Sequence, residues 1–287
     1  DPFGDCPLDK WISNSEEWHN EHYEYLKSKI IEKNPELMGD FMNTVMMTAA
    51  IAFGGAAAQS QNAGGSMVFL VQPEPPTMAG YVSTSGPIGL LGPKIYDGLF
   101  DYDNNGKMVP VLAESVDISE DGKTVTFNLR KGVTWHDGKP FSSADVQFTI
   151  MEVLKKVHPR GPNSFKEVSS IDTPDAHTAV FNLDNPAPYM LRALSSYESP
   201  MVPKHHLEGQ DIKSAKLANN PVGTGPFKFT EWKKGQYIRL DKNENYWKEG
   251  RPYIDRIVGR FIPDASTRAA AMEKGEVLYA AYNAVSN

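Results

Sequence analysis

From residue 66 onward, short apolar stretches alternate with turn signals. Met67–Val71 is an uninterrupted apolar run, which predicts a strand buried on both faces. Gln72-Pro-Glu-Pro-Pro-Thr77 breaks it into an extended loop, and a helical stretch follows over Ile88–Leu99. Asn105-Gly106 predicts a hairpin between Phe100–Tyr102 and Met108–Val109. A stronger hairpin runs from Val116–Ile118 through the turn Glu120–Lys123 into Thr124–Leu129, where Val125, Phe127 and Leu129 share one face. Trp135-His136-Asp137-Gly138 is another turn. Ser142 and Asp145 then cap a helix whose apolar face reads Ala144, Phe148, Met151 and Leu154. Further strands are predicted at Val168–Ile171, Thr178–Leu183, Phe227–Trp232 and Tyr237–Asp241, with Ile257–Ile262 as the last. Short helices fit Tyr189–Leu194 and Ser266–Lys274.

The leader reads differently. Residues 1–41 hold ten acids and four lysines, whereas the rest of the chain is nearly neutral. A break of that size marks a separate segment. Within it, the capping box Ser13/Glu16 opens a helix over 13–33 that presents Trp18, His22, Tyr25, Leu26 and Ile30 on one face. His19 and His22 stand three residues apart and read as solvated side chains. Val45–Ala58 carries no charge and ends in Ala56-Ala57-Ala58, with a second possible cut after Ala63. It reads as the apolar core and cleavage site of a secretory signal, although the positive flank is missing. A buried Ala-rich helix is the alternative. The start at Asp1 suggests a fragment or a fusion.

The 287 residues carry a net charge of −7, which argues against nucleic acid as a partner. A single cysteine, Cys6, excludes an intrachain disulfide framework. No uncharged run reaches the ~20 residues of a membrane span. No nucleophile elbow, HExxH or Walker loop occurs. Gly223-Thr224-Gly225-Pro226 looks like a phosphate turn, but the proline removes a donor such a site needs, so a structural turn is expected. His205-His206 are adjacent and are expected to point apart, which disfavours a shared metal. His136 reads as a cap of backbone groups rather than a catalytic base, and Asp137 and Asp145 as turn and cap residues. Enzyme activity therefore has no positive support in these residues, and no catalytic residue, metal or cofactor is expected.

A set of spaced blocks adds a resemblance. Pro110–Ser115, Ile118–Lys123, Phe127–Val133, Trp135–Phe141 and Ala144–Val146 resemble the signature region of the family 5 solute-binding proteins, the periplasmic dipeptide and oligopeptide receptors of ABC importers. Ile95–Phe100, Asn220–Phe227, Asn245–Asp255, Ile262–Asp264 and Gly275–Val277 agree in order. Val116 departs from the family's usual Trp, and Leu278-Tyr279 from a common Asp-Ala.

The resemblance implies an α/β fold of the periplasmic-binding-protein type (type II, cluster C). Lobe I with its smaller α/β subdomain would span 64–262. Residues 263–287 would begin the hinge crossing and a truncated lobe II, most of lobe II being missing. It further implies a monomeric periplasmic receptor, exported by the signal-like segment 42–63, that hands short peptides to permease subunits. Nickel chelates, haem, glutathione, opines or oligosaccharides are alternative ligands. A secreted hydrolase acting through His136 or Glu198, or a non-functional fragment, are the readings from other classes. By position, Thr84, Ser85 and Gly86 match the lobe I loop facing the cleft. Tyr197 and Glu198 approach it, and Tyr282 and Asn283 follow the hinge crossing. Half of a two-lobed receptor is expected to bind peptides weakly or not at all.

Overall fold

Strand β1 (Ser66–Leu70) sits between two strands from the far end of the described chain, β10 (Arg256–Arg260) and β11 (Tyr279–Ala280), and runs parallel to both. A computed structural model describes residues 64–280. The leader helix, the signal-like segment, Tyr282 and Asn283 lie outside them. Antiparallel pairing adds β9 (Tyr237–Lys242) and β8 (Phe227–Lys233), completing a mixed sheet in the order β11-β1-β10-β9-β8. The apolar run of β1 suits this interior position. Leu70 and the adjoining Val71 are fully buried, in different clusters of the core. The sequence reading ended the strands at Ile262. The two-residue β11 is too short for periodicity to reveal.

Helix α1 (Gly86–Ile95) starts two residues earlier than its apolar pattern suggests. Ser85 is the N-cap residue and Pro87 occupies the first turn, where a missing N–H costs nothing. Its end also falls early, because Tyr96 is extended and leads into β2 (Phe100–Tyr102). The Asn105-Gly106 turn, with Gly106 at φ 73°, joins β2 to β3 (Met108–Pro110).

The second sheet is antiparallel, in the order β4-β5-β7-β6. It comprises β4 (Ala113–Ile118), β5 (Thr124–Leu129), β6 (Val168–Asp175) and β7 (Thr178–Leu183). Val125, Phe127 and Leu129 of β5 and Ala179, Phe181 and Leu183 of β7 all face the core. The Phe127 and Phe181 rings meet edge to face at 4.7 Å. Each such ring contributes on the order of 2 kcal/mol by burial. Strand β6 continues through Pro174, a residue without a ladder donor, and it can do so because β6 is an edge.

Helix α2 (Ser143–Phe148) opens on a capping box between Ser142 and Asp145. It then widens into a π-helical stretch, Thr149–Leu154. From Thr149 onward the wider turns change the angular step between residues. Phe148 and Leu154 are buried as the spacing predicts, but Ala144 and Met151 are only half-buried, and Val146, Ile150 and Val153 fill the core instead. Short helices α3 (Tyr189–Arg192) and α4 (Lys204–Leu207) follow, and α5 (Ala265–Glu273) stands between β10 and β11. Asp264 caps α5 by accepting from the Thr267 N–H at 2.7 Å.

Candidate functional site

The first candidate loop leads directly into α1. Thr84, Ser85 and Gly86 are all half-buried. The Ile88 and Gly89 N–H groups donate to the Ser85 carbonyl, so Ser85 organises the first helical turn through its backbone. Tyr197 reaches the same helix. Its ring lies so close to Gly89 that a Cβ there would stand 2.3 Å from Tyr197 Cε2. The absence of a side chain at Gly89 is what lets the ring lie against α1. A depression of about 10 Å³, roughly the size of one water, lies here. Ser83, Gly89, Tyr96, Ser196 and Tyr197 are among the residues lining it. Thus the structure brings Tyr197 to the helix that Ser85 and Gly86 begin. Of the loop before α1, it is Ser83, one position before the predicted trio, that lines the depression.

Glu198 is engaged by Arg160, whose guanidinium donates to it and lies 5.4 Å from the centre of the Tyr197 ring. Arg160 therefore orients both predicted residues. At this exposure the ion pair contributes at most about 1 kcal/mol, so its effect is on position more than stability. Arg160 lies 37 or more residues from either partner, and no local spacing announces it. Tyr96 is fully buried, its hydroxyl has no hydrogen-bond partner, and burial raises its pKa well above the usual tyrosine value. Among the described residues a larger concavity, about 560 Å³, opens elsewhere, between Gln147 and Met151 on one side and Ser170 and Asp172 on the other. None of the predicted site residues lines it.

Behind the candidate site the sequence blocks meet. Asp97, buried directly after α1, accepts hydrogen bonds from Thr224 Oγ1 and Trp247 Nε1, each at 3.1 Å, and from the Tyr246 hydroxyl at 3.5 Å. Burial pushes its carboxyl up to about 6, against the pull of the Trp247 and Thr224 bonds. The Gly223–Pro226 turn is structural, as expected. A Cβ on Gly223 would lie 1.9 Å from the Ile95 carbonyl oxygen, and one on Gly225 would lie 2.6 Å from it.

His136 locks this turn. Its Nδ1 accepts from the Gly223 N–H at 3.2 Å, and its Nε2 donates to the Gly225 carbonyl at 3.0 Å. Desolvation lowers its pKa to about 4, outweighing the opposing Gly225 bond, and keeps the ring neutral. With both ring nitrogens committed to backbone, His136 is the cap its sequence context suggests. His205 and His206 do not follow expectation. Both Nε2 atoms reach Asp137 Oδ2, at 2.7 and 2.9 Å.

The described residues thus form an α/β lobe whose first helix is entered from a half-buried loop and has the Tyr197 ring packed against Gly89 near its start. The family model for bacterial extracellular solute-binding proteins, family 5, matches residues 107–286, and the chain belongs to that family. The glutathione-binding protein GsiB of Pectobacterium atrosepticum is 34% identical over 193 residues, which is 64% of this chain and 36% of that one. The oligopeptide-binding protein AppA of Bacillus subtilis, solved with a nonapeptide, superposes with a TM-score of 0.69 at 31% identity, covering 75% of this chain and 44% of AppA. DppA of Helicobacter pylori, solved with the peptide STSA, gives 0.66 at 31% identity, covering 77% and 47%. The chain spans about a third of the length of the curated relatives it matches. No helix among the described residues is long and apolar enough to cross a membrane.

Proposed function

We propose that the protein is the solute-capturing component of an ABC importer, that its solute is a short peptide, and that it delivers this peptide outside the cytoplasm to membrane permease subunits. The observation that carries the reading is the backbone agreement, over three quarters of the chain, with two relatives solved with peptides bound. Such capture needs no reactive group. Affinity comes from enclosing the ligand and replacing the hydrogen bonds it loses to water. Closure around it shifts an open–closed equilibrium that a transporter can read. In this reading Ser83 to Gly86, Tyr197 and Glu198 form the lobe I wall. Tyr197 supplies an apolar surface, and the Glu198–Arg160 pair holds it in place. Tyr282 and Asn283 would line the mouth.

The test is equilibrium dialysis of the 287-residue chain, at about 100 μM so that micromolar binding registers, against a pool of di- to nonapeptides, with bound species identified by mass spectrometry. Peptides are expected to be retained. Tyr197→Ala and Gly89→Ala are each expected to weaken retention about tenfold or more, the second because the new methyl displaces the ring. Retention of a different solute class would replace the peptide assignment. GsiB makes glutathione, itself a small peptide, the first to compare. Retention of nothing would overturn the reading.

A further inference from the structure

We propose that Asp137, His205 and His206 bind a divalent transition-metal ion of the zinc class, which clips the Trp135–Lys139 turn to helix α4. This proposal stands apart from the peptide reading, because none of the three residues belongs to the candidate site. Asp137 Oδ2, His205 Nε2 and His206 Nε2 all lie within 4.8 Å of one another. Ligand atoms around a tetrahedral zinc stand on the order of 3.3 Å apart, so shifts of a few tenths of an ångström to about 1 Å admit the ion. Adjacent residues on a helix diverge by about 100°. Here the two imidazoles nevertheless turn together, with centroids 4.6 Å apart, and converge on one oxygen. A hydrogen-bond acceptor alone needs only one of them.

Two nitrogens and a carboxylate are the donor set that zinc, cobalt and nickel favour over calcium or magnesium. Each ring would bind through Nε2 and keep its proton on Nδ1. The three side chains are 23 to 40% exposed, which leaves room for water as a fourth ligand.

Both halves of the site are held before any ion arrives. Asp137 Oδ1 accepts from the Lys139 N–H at 3.1 Å, leaving Oδ2 for the metal. The turn closes through Trp135 N–H to Lys139 O and Gly138 N–H to Trp135 O, each at 2.8 Å. Helix α4 is tied down by the Lys204 N–H donating to Asp145 Oδ1 at 3.0 Å. The nearby Lys204 ammonium is paired with Glu208 at 3.5 Å.

The experiment titrates Zn²⁺ into the chelator-stripped full chain by calorimetry and Co²⁺ by visible absorption. One ion per chain, a higher Tm with Zn²⁺ and a tetrahedral-type Co²⁺ band are expected. His206→Ala and Asp137→Asn should each weaken Zn²⁺ binding by about tenfold or more. Asp137→Asn keeps the shape of the side chain and the Lys139 bond, so it decides the matter if a histidine variant fails to fold by circular dichroism. Absence of Zn²⁺ binding overturns the proposal. So does binding of unchanged affinity in Asp137→Asn, which would place the ion on other side chains such as His19, His22 or Cys6.

Discussion

Asp97 shows how one buried side chain can organise a fold and also impose a pH signature on it. Its folded carboxyl titrates near 6, against an ordinary value of 3.8. Between those values the folded state holds a proton that the unfolded state has released, so stability falls as the pH rises from about 4 to about 6 and is level above. The shift corresponds to about 3 kcal/mol at most. Denaturant unfolding of the wild type and Asp97→Asn across that range should show the slope in the first and its loss in the second. Superimposable pH profiles would mean the carboxyl is not buried as described. The three donors to Asp97 come from two segments more than 120 residues away in sequence. The sequence blocks containing Asp97, Thr224 and Trp247 were legible as a family pattern, but their meeting at one carboxylate was not. Nothing local in Tyr96-Asp97-Gly98 distinguishes a buried acid from a turn residue.

At the scale of elements, glycines separate close contact from open space. Gly223→Ala would drive a methyl into the Ile95 carbonyl, and a cost of about 3 kcal/mol or more is expected in chemical denaturation. Gly92→Ala, inside α1, meets only Ile88 at 3.8 Å. It should stabilise the protein by up to about 1 kcal/mol through helix propensity. If both substitutions proved neutral, the packing of α1 against the Gly223–Pro226 turn would be wrong. Hairpins were the most readable elements, since β4–β5 and β2–β3 carry both their alternation and their turn residues within a few positions. Helix α2 was half readable. Its cap is written in Ser142 and Asp145, but the π-helical stretch changes the angular step at Thr149, so a uniform 3.6 period misplaces Met151. His205 and His206 failed for a related reason. Backbone direction separates them, and only the long reach of two imidazoles toward a turn 68 residues earlier brings them together.

For the whole molecule, the relation between length and enclosure decides behaviour. The described residues superpose on less than half of AppA or DppA. A ligand held against a single wall keeps much of its surface in water, and the entropy lost on association is then poorly offset. With enclosure of this kind, the 287-residue chain is therefore expected to bind di- and tripeptides no better than micromolar by calorimetry. Sub-micromolar binding would show that the lobe I wall suffices. Fold class was legible because many spaced blocks agree in order along the chain. Of the candidate site, the sequence proposed the loop before α1 and Tyr197 by position, and the fold packs the Tyr197 ring against that helix. The Arg160 clamp was not, since it depends on segments that only the finished packing brings together.

The placement of β1 has a consequence for the order of events in biogenesis. Gly65, at its threshold, bonds to Asp255, 190 residues downstream. A ribosome delivers the amino end first, so β1 emerges long before either neighbouring strand exists. The hairpin-rich sheet of residues 113–183 draws all its strands from one short interval and can condense early. The mixed sheet must wait for nearly the whole span to be synthesised, so it is expected to close last, with β1 unpaired until then.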